Sequence, residues 1–115
     1  MKLQAALDTL TLNECIDLLE ETEGFIDIAE VGTPFVIEEG MVPVKEFKKQ
    51  FPNIEILADV KIMDAGEYEA DKCFEAGADI CTALGVSHNE TIEGVVRSAK
   101  KYGKKVMVDM IAVSD

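Results

Sequence analysis

Charged residues recur where a series of apolar segments ends: Asp8, Glu30, Asp59 and Lys61, then Asp64 just beyond. An acid inside an otherwise apolar strand is costly unless it is paired or holds a metal. Several at the same end of successive strands therefore point to one shared site. The densest stretch is Ala58-Asp59-Val60-Lys61-Ile62-Met63-Asp64. Residues i and i+2 of a strand face the same side, so Asp59 and Lys61 are expected to project together, and Asp64 can return from the following loop. A lysine flanked by two carboxylates stays protonated. That makes it a fixed cation suited to stabilising an enediolate or carbanion, and a poor Schiff-base amine, which must be neutral. Glu30 and Asp59, from adjacent strands, offer the hard oxygen ligands that Mg2+ takes, with water and substrate oxygens completing its shell.

The segments that must position these groups alternate strictly. Strands are expected at Leu3–Leu7, Phe25–Val31, Ile54–Val60, Ala78–Leu84 and within Lys105–Val113. Between them, Thr11 and Glu14 form a capping box ahead of a helix with Leu12, Cys15, Ile16 and Leu19 on one face. Gly32-Thr33-Pro34 reads as a break. A second helix, Val42–Gln50, stops at Pro52. A third, Glu67–Ala76, buries Ala70, Cys73 and Phe74, and a fourth carries Ile92, Val95, Val96 and Ala99.

Such alternation makes a parallel sheet with right-handed crossovers. The repeat of roughly 22 to 29 residues suits a (βα)8 barrel, and no G-x-G-x-x-G follows the first strand, as a dinucleotide fold would require. The expected fold is α/β, a parallel TIM barrel that is incomplete, with about five strands and four helices, residues 1–115 being the N-terminal portion of one domain. Five strands cannot close an eight-stranded barrel. In a barrel, the strands' C-terminal ends carry the site.

Eleven Lys and Arg against 23 Asp and Glu leave a formal charge of −12, a field that repels nucleic acid and anionic membranes. It also suits a sugar phosphate badly, so the anion grip is expected outside this segment. No apolar run approaches a membrane span, and no secretory signal opens the chain; we expect a cytoplasmic protein. Cys15, Cys73 and Cys81 are odd in number and far apart, and are read as reduced, buried small hydrophobes.

Ala58-Asp59-Val60-Lys61-Ile62-Met63-Asp64-Ala65-Gly66 resembles the Asp-x-Lys-x-x-Asp signature of the orotidine-5′-phosphate-decarboxylase superfamily. Its form Lys61-Ile62-Met63-Asp64-Ala65 looks most like the hexulose-phosphate synthases. Glu30-Val31-Gly32-Thr33-Pro34, Leu3-Gln4-Ala5-Ala6-Leu7-Asp8 and Val108-Asp109-Met110-Ile111 resemble the same enzymes at the second, first and fifth strands, so the likeness spans the chain.

The resemblance implies an aldolase that joins formaldehyde to D-ribulose 5-phosphate, giving D-arabino-3-hexulose 6-phosphate. Asp8 would contact substrate hydroxyls and brace Lys61, Glu30 and Asp59 would hold Mg2+, and Lys61 would stabilise the 1,2-enediolate. Asp64 would reach across a homodimer interface. The sister enzyme, 3-keto-L-gulonate-6-phosphate decarboxylase, reaches its enediolate by losing CO2. The family's proton-moving histidine lies on the sixth strand and its phosphate grip after the seventh and eighth, so the 115-residue chain alone is expected to show little activity.

Plainer readings stand beside these. Asp59, Lys61 and Asp64 could be only a structural salt-bridge network at a barrel rim. Asp8 could simply cap the first helix. Asp109 faces the mouth by position but is assigned no role. His88, the sole histidine, lies in Gly85-Val86-Ser87-His88-Asn89 and is read as a solvated loop residue, with Ser87 or Asn89 capping the helix. A third alternative of another class is a non-catalytic partial barrel that folds by self-association.

Overall fold

The computed structural model describes residues 1–114. Five strands, β1 (Gln4–Leu7), β2 (Ile28–Val31), β3 (Glu55–Ile62), β4 (Ile80–Leu84) and β5 (Lys105–Asp109), form one sheet in the order β1-β2-β3-β4-β5. Every neighbouring pair is parallel. Each strand is added to the same edge as the one before. A doubly wound sheet reverses direction part-way; this one does not, which is the progression of a barrel wall.

Helices α1 (Leu12–Thr22), α2 (Thr33–Glu39), α3 (Val42–Gln50), α4 (Gly66–Glu75) and α5 (Asn89–Tyr102) carry the crossovers. Cys15, Phe35, Phe47, Cys73 and Val95 from these helices join Ala29, Val31, Ile56, Ala58, Cys81 and Ala83 of the sheet in the main core. The alternate strand residues Ile28, Leu57 and Ile80 make a small separate cluster on the inner face. The Thr11–Glu14 capping box is present. All three cysteines are free and buried; burial pushes the thiols up, Cys15 to about 11 and Cys73 and Cys81 to about 12.

The described residues form five helices where four were expected. Gly32-Thr33-Pro34, read as a break, instead starts α2: Gly32 is its N-cap and Pro34 lies in its first turn, where a missing N–H costs no helical bond. The second strand is shorter than expected, because Phe25 and Ile26 donate their N–H groups to the Thr22 carbonyl and close the end of α1; Phe25 is left 79% exposed. His88, not Ser87 or Asn89, is the N-cap of α5, and no side chain caps that helix. Ser87 instead donates to the Leu84 carbonyl at 2.7 Å.

The buried stripe of α5 is Thr91, Gly94, Val95, Ser98 and Ala99. Of the expected Ile92, Val95, Val96 and Ala99, the second and fourth are buried, while the stripe turns away from half-buried Ile92 and Val96 toward Thr91, Gly94 and Ser98. Close helix contact explains the rotation. A Cβ on Gly66 would lie 2.1 Å from the Thr91 carbonyl oxygen, and one on Gly94 would lie 2.9 Å from the Glu67 nitrogen. Two glycines thus let α4 and α5 approach closely.

Candidate active site

Strand β3 carries the site, and it is irregular there. Leu57 and Ala58 pair with Ile80 and Cys81, but the next pairing is Ile62 with Ala83, so β3 advances four residues while β4 advances two. Such a bulge re-aims side chains. Lys61 within it has φ of +50°, a left-handed conformation that few non-glycine residues adopt.

The Lys61 ammonium donates to the Asp59 carboxylate and, at 2.8 Å, to Thr33 Oγ1. It lies 3.6 Å from Asp109 Oδ2. Asp59 is buried, and Thr82 Oγ1 donates to its other oxygen, Oδ1, at 2.8 Å. Thr33 Oγ1 stands 2.9 Å from Asp59 Oδ2 and 2.7 Å from the Asp59 carbonyl. Three elements therefore converge on one carboxylate: the start of α2, β3 and β4.

The electrostatics follow from this packing. Burial would raise the Asp59 carboxyl, but hydrogen bonds from Lys61, Thr82 and Thr33 and the lysine's charge outweigh it, holding the group below its ordinary value. Burial likewise disfavours the Lys61 ammonium, yet Asp59 and Asp109 keep it above the usual lysine value. At neutral pH the site is a fixed ion pair. A lysine held protonated in this way is suited to stabilising negative charge and poorly suited to nucleophilic attack.

The expected juxtaposition of Asp59 and Lys61 is therefore present, although through a bulge and not through regular strand alternation. Asp64 does not complete the pair. It is exposed, and among the described residues its side chain makes no hydrogen bond or ion pair; its carbonyl accepts from Thr91 Oγ1 at 3.0 Å. The second carboxylate at Lys61 is Asp109, at the end of β5.

Asp8 is exposed beyond the end of β1 and is folded against Gly32, where a Cβ would meet Asp8 Oδ1 at 1.9 Å. No ion pair joins it to Lys61 among the described residues, so the expected brace is absent from this chain's own contacts. Thr11, not Asp8, caps α1. Glu30 lies on β2 beside Leu57, one inner-face level below Asp59, and accepts from the Gln4 amide at 2.6 Å.

A cleft of about 320 Å³ lined by Met41, Val60, Tyr68, Glu69, Lys72 and Cys73 opens on the helical side of the sheet, away from the Asp59 carboxylate. It is not this site.

One family match runs over residues 1–115 and carries the description Orotidine 5′-phosphate decarboxylase / HUMPS family. The chain is a member of that family. Among its relatives is a Bacillus subtilis (strain 168) protein named 3-hexulose-6-phosphate synthase, 55% identical over 115 residues, which are 100% of this chain and 55% of the relative. A Methylomonas aminofaciens protein of the same name is 46% identical over 112 residues, 97% of this chain and 54% of that one. A solved 3-hexulose-6-phosphate synthase from Salmonella typhimurium superposes with a TM-score of 0.97 at 50% identity, covering 100% of this chain and 55% of that chain. A solved 3-keto-L-gulonate-6-phosphate decarboxylase from Vibrio cholerae O1 biovar El Tor gives 0.94 at 27% identity, covering 99% and 53%. The chain spans about half the length of the relatives it matches.

Three of the site's members in this family chain, Thr33, Thr82 and Asp109, escaped the sequence reading. Thr33 was hidden in the Gly-Thr-Pro break. Thr82 carried a readable signal: a hydroxyl between Cys81 and Ala83, two residues from inward-facing Ile80, must find a partner when buried. Asp109 was placed at the mouth but given nothing to do.

Proposed function

We propose that the chain carries the lysine and metal-binding part of a Mg2+-dependent aldolase that condenses formaldehyde with D-ribulose 5-phosphate to give D-arabino-3-hexulose 6-phosphate. The observation that supports it most is the Lys61 ammonium held between Asp59 and Asp109 at the C-terminal ends of parallel strands. The family match and the names borne by its relatives at 44–55% identity point the same way.

In this reading a base removes a proton from C1 of the sugar phosphate, leaving a 1,2-enediolate. C1 then attacks the formaldehyde carbon, and a proton returns to the former aldehyde oxygen, so the balance closes. Lys61 supplies a preformed positive charge where the enediolate develops, without reorganisation at the moment of reaction. Asp59 and Asp109 keep that charge in place, and exposed Asp8 is free to contact substrate hydroxyls.

Glu30 and Asp59 would hold the metal. Their donor sets fit: Glu30 Oε1 accepts no hydrogen bond among the described residues, and Asp59 Oδ1 accepts only one, from Thr82. Two carboxylates with water and substrate oxygens suit Mg2+. Bound there, Mg2+ would stabilise negative charge on substrate oxygens. Asp64, exposed and unpaired within the chain's described residues, is available to a second copy in a homodimer.

The decarboxylase reading keeps the same residues and is favoured by decarboxylase structures at 25–27% identity, among them the Vibrio one. With this sequence supplying the first part of a complete barrel, formaldehyde-dependent loss of ribulose 5-phosphate supports the aldolase. Release of CO2 from 3-keto-L-gulonate 6-phosphate, without formaldehyde-dependent turnover, would replace it.

A further inference from the structure

The bulge at Lys61 poses a physical problem: an L-residue at φ +50° in the middle of a site persists only if its surroundings over-determine it. Thr82 is the residue of β4 that stands opposite the irregular stretch, since Cys81 pairs with Ala58 and Ala83 with Ile62. Its hydroxyl accepts from the Lys61 backbone N–H at 2.9 Å and donates to Asp59 Oδ1 at 2.8 Å. The side chain is buried, 3% exposed.

One hydroxyl therefore spans the bulge, fastened to its first residue through a carboxylate and to its third through a main-chain N–H. A threonine can do this because its oxygen accepts and donates at once. Valine matches its shape and offers neither. We infer that Thr82 is the positioning residue for Lys61, its hydroxyl standing in for a main-chain acceptor and holding the left-handed turn that aims the ammonium at the strand ends. The consequence for rate rests on the proposed role of Lys61; the placement itself does not.

Amide hydrogen exchange and 1H–15N NMR of the chain at fixed pH, without substrate, test this. In the wild type the Lys61 amide should be protected, and its ammonium should give a resolved signal because it is held in an ion pair. Thr82→Val should speed exchange of the Lys61 amide by at least about tenfold and broaden the ammonium signal, with the amides of Leu57 and Ala58 unchanged. Thr82→Ser, which restores the oxygen, should recover both signatures. An unprotected Lys61 amide in the wild type overturns the inference even if the valine variant fails to fold. So does a valine variant that keeps both signatures, or a serine variant that recovers neither. Because no substrate is present, failure here is distinct from failure of the aldolase reading, which turnover alone decides.

Discussion

The charges at the site are held in place by hydrogen bonds from neighbouring elements. Asp59 accepts from three donors, Thr33, Lys61 and Thr82, through its two carboxylate oxygens, whereas Asp109 approaches Lys61 at 3.6 Å, beyond a good hydrogen bond. The two carboxylates therefore differ in what they do. Asp59 fixes the ammonium in space, and Asp109 adds mainly to the field. Asp59→Asn should lower turnover of a complete barrel by about 10²-fold or more, and Asp109→Asn by about tenfold. Steady-state rates under formaldehyde saturation measure both, and an Asp109 variant more damaged than the Asp59 variant would reverse the assignment. The types and spacing of Asp59 and Lys61 were enough to place them together, since both lie at the end of an apolar strand. The threonines were not legible in the same way. A hydroxyl's role depends on which neighbour it meets, and that is set by register between strands distant in sequence.

At the scale of elements, the strands' opposite ends carry stability. Asp79, just before β4, accepts from Lys48 of α3 at 2.8 Å, from Lys104 ahead of β5 at 2.7 Å, and from the Ile56 N–H of β3 at 2.9 Å. Burial pushes its carboxyl up, but these donors outweigh burial and leave it below the ordinary 3.8. A carboxyl with a depressed folded value contributes its full stability above the unfolded value and loses it as pH falls through the folded one. Asp79→Asn should therefore cost about 2 kcal/mol at pH 7, with the difference from wild type shrinking as pH drops below 3.8. Urea unfolding at pH 7 and at pH 3 checks this; an unchanged difference at the two pH values would contradict it. Helix α3 was readable to its end residues because its apolar face and its terminating Phe51-Pro52 are local signals. Helix α2 was not, because a proline that begins a helix and one that ends a helix look alike until the chain on either side is placed.

For the whole molecule, sequential parallel order is the feature that makes separate strand ends into one site. It places Asp59 and Asp109 at one rim with Thr82 between them, and Glu30 one level below on β2. Alternation of strands and helices made this legible, because parallel strands with one hand of crossover can only add side by side. The repeat length and the missing G-x-G-x-x-G already favoured a barrel over an open sheet, and the order of the strands bears that out. The proposed function turns on a permanently charged ammonium at that rim stabilising the enediolate. Its most direct test is turnover of D-ribulose 5-phosphate with formaldehyde by a complete barrel carrying this sequence, compared with Lys61→Ala. A fall of about 10³-fold with the circular dichroism spectrum unchanged is the expected result, and a variant that turns over at the wild-type rate would contradict it.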